Sequence, residues 1–130
     1  MDKNIGLLIV GHGSSLGYNG ELVRSVASEF SDEFENVEVG FLNSEEPKIK
    51  DGIGRLLERG VSKIAVFPLF LSRGVHILKD IPRELGLEDG KRKGKIKFDG
   101  REVDIFYARP IENDKRLTEI ALDRIKEAIS

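Results

Sequence analysis

The sequence predicts an α/β fold, a three-layer sandwich in which helices cover both faces of a four-stranded parallel sheet. Three observations carry that prediction. Short aliphatic runs recur, Ile5 to Val10 and Lys63 to Leu71 foremost, and they are apolar on both faces as a strand buried between helices must be. Each run is followed by a segment whose apolar residues return at helical spacing. The 130 residues suffice for a single domain, 1–130, with no internal repeat or linker.

The elements follow in order. Ile5 to Val10 is the first strand, and it stops on Gly11-His12-Gly13, whose glycines let the backbone turn sharply. Ser14 to Gly20 is a loop. Glu21 to Phe34 is expected to be helical, with Leu22, Val26, Phe30 and Phe34 facing inward. Val37 to Phe41 alternates as the second strand. Pro47 suits the first turn of the next helix, which buries Ile49, Ile53, Leu56 and Leu57 and ends at Gly60. Lys63 to Leu71 is the third strand, interrupted at Pro68. A third helix spans Val75 to Leu85, bent or shortened by Pro82. Asp99-Gly100 signals a hairpin, so a β-hairpin extension is expected near residues 95–108, with Val103 to Ala108 as the fourth sheet strand. Asp114 caps a last helix whose inner face is Leu117, Ile120, Ala121, Ile125, Ala128 and Ile129. The whole has flavodoxin-like size.

Composition removes several functional classes. The net charge of −2 argues against a nucleic-acid binder. With no cysteine, disulfides, thiolate ligands and cysteine nucleophiles are excluded. No apolar run reaches membrane-spanning length, and the start Met1-Asp2-Lys3-Asn4 lacks the character of a signal peptide, so a cytoplasmic protein is expected. The GHGSS stretch has neither the GxGxxG fingerprint nor a Walker lysine, and Ser14 and Ser15 lack a nucleophile elbow.

The chemistry centres on the chain's two histidines. His12 follows the first strand and His76 the third, so both fall at the carboxyl edge of the sheet, where open α/β folds bind ligands. Two neutral imidazoles at one edge are what a divalent first-row metal needs, although local packing at a helix start explains His76 equally well. Glu45 and Glu46 lie on the neighbouring loop. Glu46, just before Pro47, is either a helix-start carboxylate or a proton acceptor facing the histidines. Arg73, Lys79 and Arg83 offer cations to an acidic ligand.

Four segments taken in order, LLIVGHGS, VEVGFLNSEEP, FPLFLSRGVHILKDIP and ARPIENDKRL, resemble the class II tetrapyrrole chelatases, and most of all the short archaeal CbiX-type sirohydrochlorin cobaltochelatases. The third segment is the most specific. The resemblance implies a lyase-class enzyme that inserts Co(II) into sirohydrochlorin in anaerobic cobalamin biosynthesis, with Ni(II) or Fe(II) as alternative metals and neither ATP nor an organic cofactor. It places metal binding and catalysis on His12 and His76, with Glu46 assisting in proton removal. For a flat macrocycle with acidic side chains, the residues expected to meet the substrate are Ser14, Leu69, Phe70, Leu71, Ser72, Arg73, Gly74, Val75 and Lys79. Asn43 stands where many relatives carry glutamate, Ile111-Glu112 departs from the usual pair, and Glu88 to Gly100 matches no motif. Chelatases of ordinary length resemble two such lobes, so one lobe of this size implies a homodimer, its carboxyl edges facing a shared cavity. Two further readings stay open: a non-catalytic cobalt or nickel metallochaperone, and an interaction module with incidental histidines.

Overall fold

β1 (Ile5–Gly11) is buried along nearly its whole length, and the sheet is built outward from it. In the computed structural model, which describes residues 2–130, the order is β1, α1 (Tyr18–Ser28), β2 (Val37–Phe41), α2 (Ile49–Glu58), β3 (Lys63–Pro68), a π-helical turn (His76–Asp80), α3 (Ile81–Leu85), β4 (Lys93–Phe98), β5 (Arg101–Tyr107) and α4 (Lys115–Ile129). Met1, the first residue of the domain expected over 1–130, lies outside the described residues. Among those residues, no helix is long and apolar enough to cross a membrane.

The sheet has five strands in the order β2-β1-β3-β5-β4. β2, β1, β3 and β5 run parallel, whereas β4 pairs antiparallel with β5 from Lys93 opposite Phe106 to Phe98 opposite Arg101. This corrects the four-stranded parallel sheet. Asp99 and Gly100 both take positive φ, 49° and 79°, the tight two-residue turn their sequence favours, and it zips the first hairpin arm fully onto the second. Ile96 and Phe98 thereby reach the core, and Arg101 Nη1 donates to the Leu57 carbonyl at 2.7 Å. β4 is a sheet strand.

Two apolar clusters flank the sheet. Under α2 and α3, Leu8, Val10, Ile64, Val66 and Ile105 meet Ile53, Leu56, Ile77 and Ile81. Under α1, Leu7, Ile9, Val39 and Phe41 meet Val23 and Ala27. The expected inner face of α1 is corrected here. Steps of four residues drift by about 40° each on a helix, so Leu22, Val26, Phe30 and Phe34 cannot hold one stripe. Leu22 is exposed, whereas Val26, Phe30 and Phe34 are half-buried against the cluster, the two phenylalanines packing edge to face after the helix has ended.

The third helix behaves as Pro82 requires: the Ile81 N–H reaches back to the His76 carbonyl, a π-helical turn, before α3 begins. Gly60, with φ 87°, follows α2 as the expected left-handed stop, while Pro47 falls ahead of α2 instead of in its first turn. Asp114 caps α4 by accepting from the Arg116 N–H at 2.9 Å, and the Arg116 side chain bonded to the same carboxylate holds it well below the usual carboxylate range. The inner face expected for α4 is not buried. None of its residues is, and Ile120, Ile125 and Ile129 face solvent, because the helix leaves the carboxyl edge without lying on its own sheet.

Candidate metal and macrocycle site

Three loops at the carboxyl edge converge on His12. Gly13 lies with φ 86° so close to the Asn43 carbonyl oxygen that a Cβ would overlap it, and its N–H donates to Asn19 Oδ1 at 2.9 Å. Glu45 Oε2 accepts from the Ser14 N–H at 2.9 Å and the Gly20 N–H at 2.8 Å, so this carboxylate stitches the His12 loop to the start of α1. An anion there suits the positive end of a helix. Glu45 is therefore structural, and Ser14 Oγ is occupied in accepting from the Asn19 N–H at 3.2 Å.

His76 arrives from the other side, in the first turn after Gly74. The two histidines, 64 positions apart in sequence, come within 3.2 Å, Nε2 to Nε2. Their ring centroids stand 4.7 Å apart, inclined by 69°. His12 Nδ1 lies 3.0 Å from the Gly13 carbonyl oxygen, and His76 Nδ1 lies 2.7 Å from Asp80 Oδ2. A carbonyl and a carboxylate only accept hydrogen bonds, so each Nδ1 carries the proton. In the neutral rings both Nε2 lone pairs then point into the same gap, which is repulsive until a cation enters. A first-row ion holds imidazole nitrogen at about 2.0–2.1 Å, so two nitrogens on one ion stand roughly 3.0–3.4 Å apart. The observed separation fits that bite.

Among the described residues, no group of three or more His, Cys, Asp or Glu is placed to hold a metal. The two histidines would supply two ligands and leave the remaining positions of an ion open. Glu46, expected to face them, turns its side chain to solvent, pairs with Lys48 at 3.7 Å, and lends its carbonyl to Arg24 Nη2 at 2.7 Å. Asp80 is the carboxylate at the histidine pair that the sequence reading missed. Its signal was present in the four-residue step from His76, which stacks two side chains on one helical face.

The other residues expected to meet the substrate lie on the loop between β3 and the π-helical turn, with Lys79 inside that turn. Phe70 lies beside both rings, 6.4 Å from His12 and 6.5 Å from His76 between centroids, and packs on the core beneath. Leu69 is half-buried on the α1 side. Leu71 and Val75 are exposed, as is Leu16 on the first loop, an apolar side chain the sequence reading passed over. Ser72, Gly74 and Lys79 are exposed as well, and the Gly74 carbonyl accepts from the Leu78 N–H at 2.9 Å to start the π-helical turn. Arg73 bonds Glu112 at 2.8 Å and opens on a cleft of about 210 Å³ that Lys91, Arg92 and Arg109 also line. Four cations line it, and two of them pair with Glu112, Arg73 directly and Arg109 at 3.8 Å.

Comparison with known proteins places these features in a family. The CbiX family model matches residues 6–128. A sirohydrochlorin cobaltochelatase of Methanosarcina acetivorans is 38% identical over 131 residues, which take in 99% of this chain and all of that protein. Another, of Methanothermobacter thermautotrophicus, is 40% identical over 143 residues, with 99% of this chain and all of that protein covered. Among solved structures, a putative cobalamin biosynthesis CbiX protein of Marinobacter aquaeolei superposes with a TM-score of 0.66 at 26% identity, covering 96% of this chain and 97% of that one. The sirohydrochlorin chelatase SirB of Bacillus subtilis, solved with cobalt, superposes with a TM-score of 0.75 at 25% identity. That match takes in 95% of this chain and 50% of SirB, so the chain spans half the length of that relative.

Proposed function

The chain belongs to the CbiX family, and from that premise we propose that it inserts Co(II) into sirohydrochlorin without ATP, as a lyase-class chelatase of cobalamin biosynthesis. One observation carries the reading: two Nε2 atoms 3.2 Å apart, with both Nδ1 atoms committed elsewhere.

Metallation requires that a hydrated divalent ion lose water and that two pyrrole protons leave the ring. His12 and His76 replace two waters on the ion and hold it over the macrocycle. Holding both reactants at one place makes the exchange effectively intramolecular. Because only two protein ligands grip the ion, the ring nitrogens take the open positions and draw it away. Each Nε2 then recovers a lone pair and accepts a proton from a pyrrole. Asp80, on the far nitrogen of His76, keeps that ring oriented and supports the charge it gains. Glu46, exposed near the same edge, passes protons on to water.

Leu69, Phe70, Leu71 and Val75 give the flat ring an apolar seat, and Ser14, Ser72 and Gly74 border it. Arg73 and Lys79 meet its acidic side chains, with the cationic cleft beyond Arg73 taking those that reach further. The partners are the macrocycle, the metal ion and a second copy of the chain, whose carboxyl edge closes the other side of the cavity in a two-fold homodimer. The setting is the cytoplasm. Neither a nucleic acid nor an organic cofactor is part of this reading.

Adding the protein to sirohydrochlorin and Co(II), and following the pigment spectrum, tests it. We expect conversion far faster than the unassisted reaction; a rate equal to that without protein overturns the proposal. Ni(II) and Fe(II) in competition at matched concentration rank the metals, since ligand type alone does not discriminate among them.

A further inference from the structure

The turn that carries His76 and Asp80 is held by a group outside the metal site. Its second residue, Ile77, is buried in the same apolar cluster as Tyr107 at the end of β5. In a regular helix the Ile77 carbonyl would accept from the Ile81 N–H. Here that N–H goes to the His76 carbonyl, the π-helical register. The next donor along the chain is missing, because Pro82 has no N–H. A buried carbonyl without a donor is costly. The Tyr107 hydroxyl supplies one, 2.9 Å from the Ile77 oxygen.

Tyr107 is itself fixed. β5 places it opposite Val66 of β3, and its N–H donates to the Arg92 carbonyl at 2.7 Å. The Ala108 N–H after it donates to the Val66 carbonyl at 2.8 Å. The ring is a post standing on the sheet, with its hydroxyl against the turn.

The loop ahead of the turn is tied by a different segment. In the connector from Ala108 to Asp114, the Ile111 N–H donates to the Phe70 carbonyl at 3.0 Å and the Glu112 N–H to the Leu71 carbonyl at 2.7 Å. From Leu71 to Val75 every residue is exposed, and the chain re-enters the core at Ile77. The Tyr107 bond meets it there, one residue after His76. His12 stands beside Gly13, which is locked against Asn43, so the turn sets the other half of the 3.2 Å Nε2 separation. A pair of ligands for one ion must hold its geometry to within about 0.5 Å.

We propose that Tyr107 is a positioning residue for metal insertion: its hydroxyl stands in for the N–H that Pro82 lacks, keeps the turn in π register, and so holds His76 at its distance from His12. This rests on the metal-insertion reading of the histidine pair, and adds to it a residue that touches neither the ion nor the reacting nitrogens. Tyr107 also lines the cationic cleft, and a role there is separable by measurement.

Co(II) alone, titrated calorimetrically into wild type, Tyr107→Phe and His76→Ala below their melting temperatures, gives the first test. Tyr107→Phe keeps the ring and loses only the hydroxyl; we expect it to bind Co(II) about tenfold more weakly. In the insertion assay its kcat should fall while KM for the macrocycle stays. Lower thermal stability with unchanged Co(II) affinity makes the hydroxyl a fold-stabilising group alone, and overturns the proposal. A raised KM with unchanged Co(II) affinity puts its effect in the cleft, and overturns it too. His76→Ala separates the two readings. If that variant binds Co(II) as wild type does, the metal-site reading falls together with this one. If it loses binding and Tyr107→Phe does not, the positioning role falls alone. The second test uses Pro82→Ala, which returns an N–H to residue 82. In that background, removing the hydroxyl by Tyr107→Phe should weaken Co(II) binding by no more than about twofold, because the Ile77 carbonyl has a donor within the turn. A full tenfold loss there means that the hydroxyl acts elsewhere, and overturns the proposal.

Discussion

His76 and Asp80 share a hydrogen bond on the nitrogen that faces away from His12, so their roles separate by substitution. His76→Ala or His12→Ala should abolish metal insertion with the circular dichroism unchanged, because neither ring belongs to the apolar core. Asp80→Asn keeps an acceptor beside Nδ1 but removes the charge, and Co(II) affinity should fall by about 10–100-fold, measured by titration calorimetry. Asp80→Ala should lose more. Lys91→Ala/Arg92→Ala should act differently, raising KM for the macrocycle several-fold while kcat stays, since in the proposed complex these side chains meet substrate carboxylates away from the metal. Equal KM values in steady-state assays would remove the cleft from the site. At this scale the sequence told much. A strand ending on Gly-His-Gly announced where His12 would sit, and the chain has only one other histidine to meet it. It did not tell Glu45 from Glu46. Adjacent carboxylates on a loop look alike until the loop's path is known, and here one turns inward to two backbone N–H groups while the other faces water.

At the level of the elements, the buried end of β5 makes a separate test. The Tyr107 hydroxyl donates to the Ile77 carbonyl at 2.9 Å, and burial pushes its pKa up from 10.0 to about 12. A tyrosine harder to ionise folded than unfolded favours the folded state less as pH rises between those two values. Thermal stability should therefore decline from pH 10 to pH 12, and Tyr107→Phe should flatten that decline at a cost of about 1 kcal/mol at neutral pH for the unpaired carbonyl. Melting curves across the range decide it. Gly13→Ala should lower stability by about 1–3 kcal/mol, read from urea unfolding, because it forces a side chain into left-handed backbone against the Asn43 carbonyl. Elements bounded by punctuation were legible: the Asp99-Gly100 turn, the Gly60 stop, the Asp114 cap, the break at Pro82. Elements bounded by packing were not. α1 ends after Ser28 although apolar residues continue to Phe34, and periodicity alone does not say whether an apolar arc is covered, which is why α4 reads from sequence as an inward helix.

For the whole molecule, the stoichiometry is the sharpest expectation. Two copies facing one cavity should bind one macrocycle per two chains. Titration of the metal-free protein with sirohydrochlorin should break at half an equivalent per chain; a break at one equivalent would separate the sites and dissolve the shared cavity. The expectation of a second lobe rests on size alone, and no periodicity or motif in the sequence says where a second copy would dock.

The bonds from Ile111 and Glu112 to the Phe70 and Leu71 carbonyls tie the root of α4 to the loop that ends at His76. A shift at the root of that helix is a shift at the loop leading to His76. If the site is shared between two copies as proposed, turnover per chain should depend on how much protein is present, climbing steeply with concentration while copies are scarce and levelling once nearly all are paired. A cell making little of this protein would have almost none of its activity, and a modest rise in synthesis would switch it on more than proportionally.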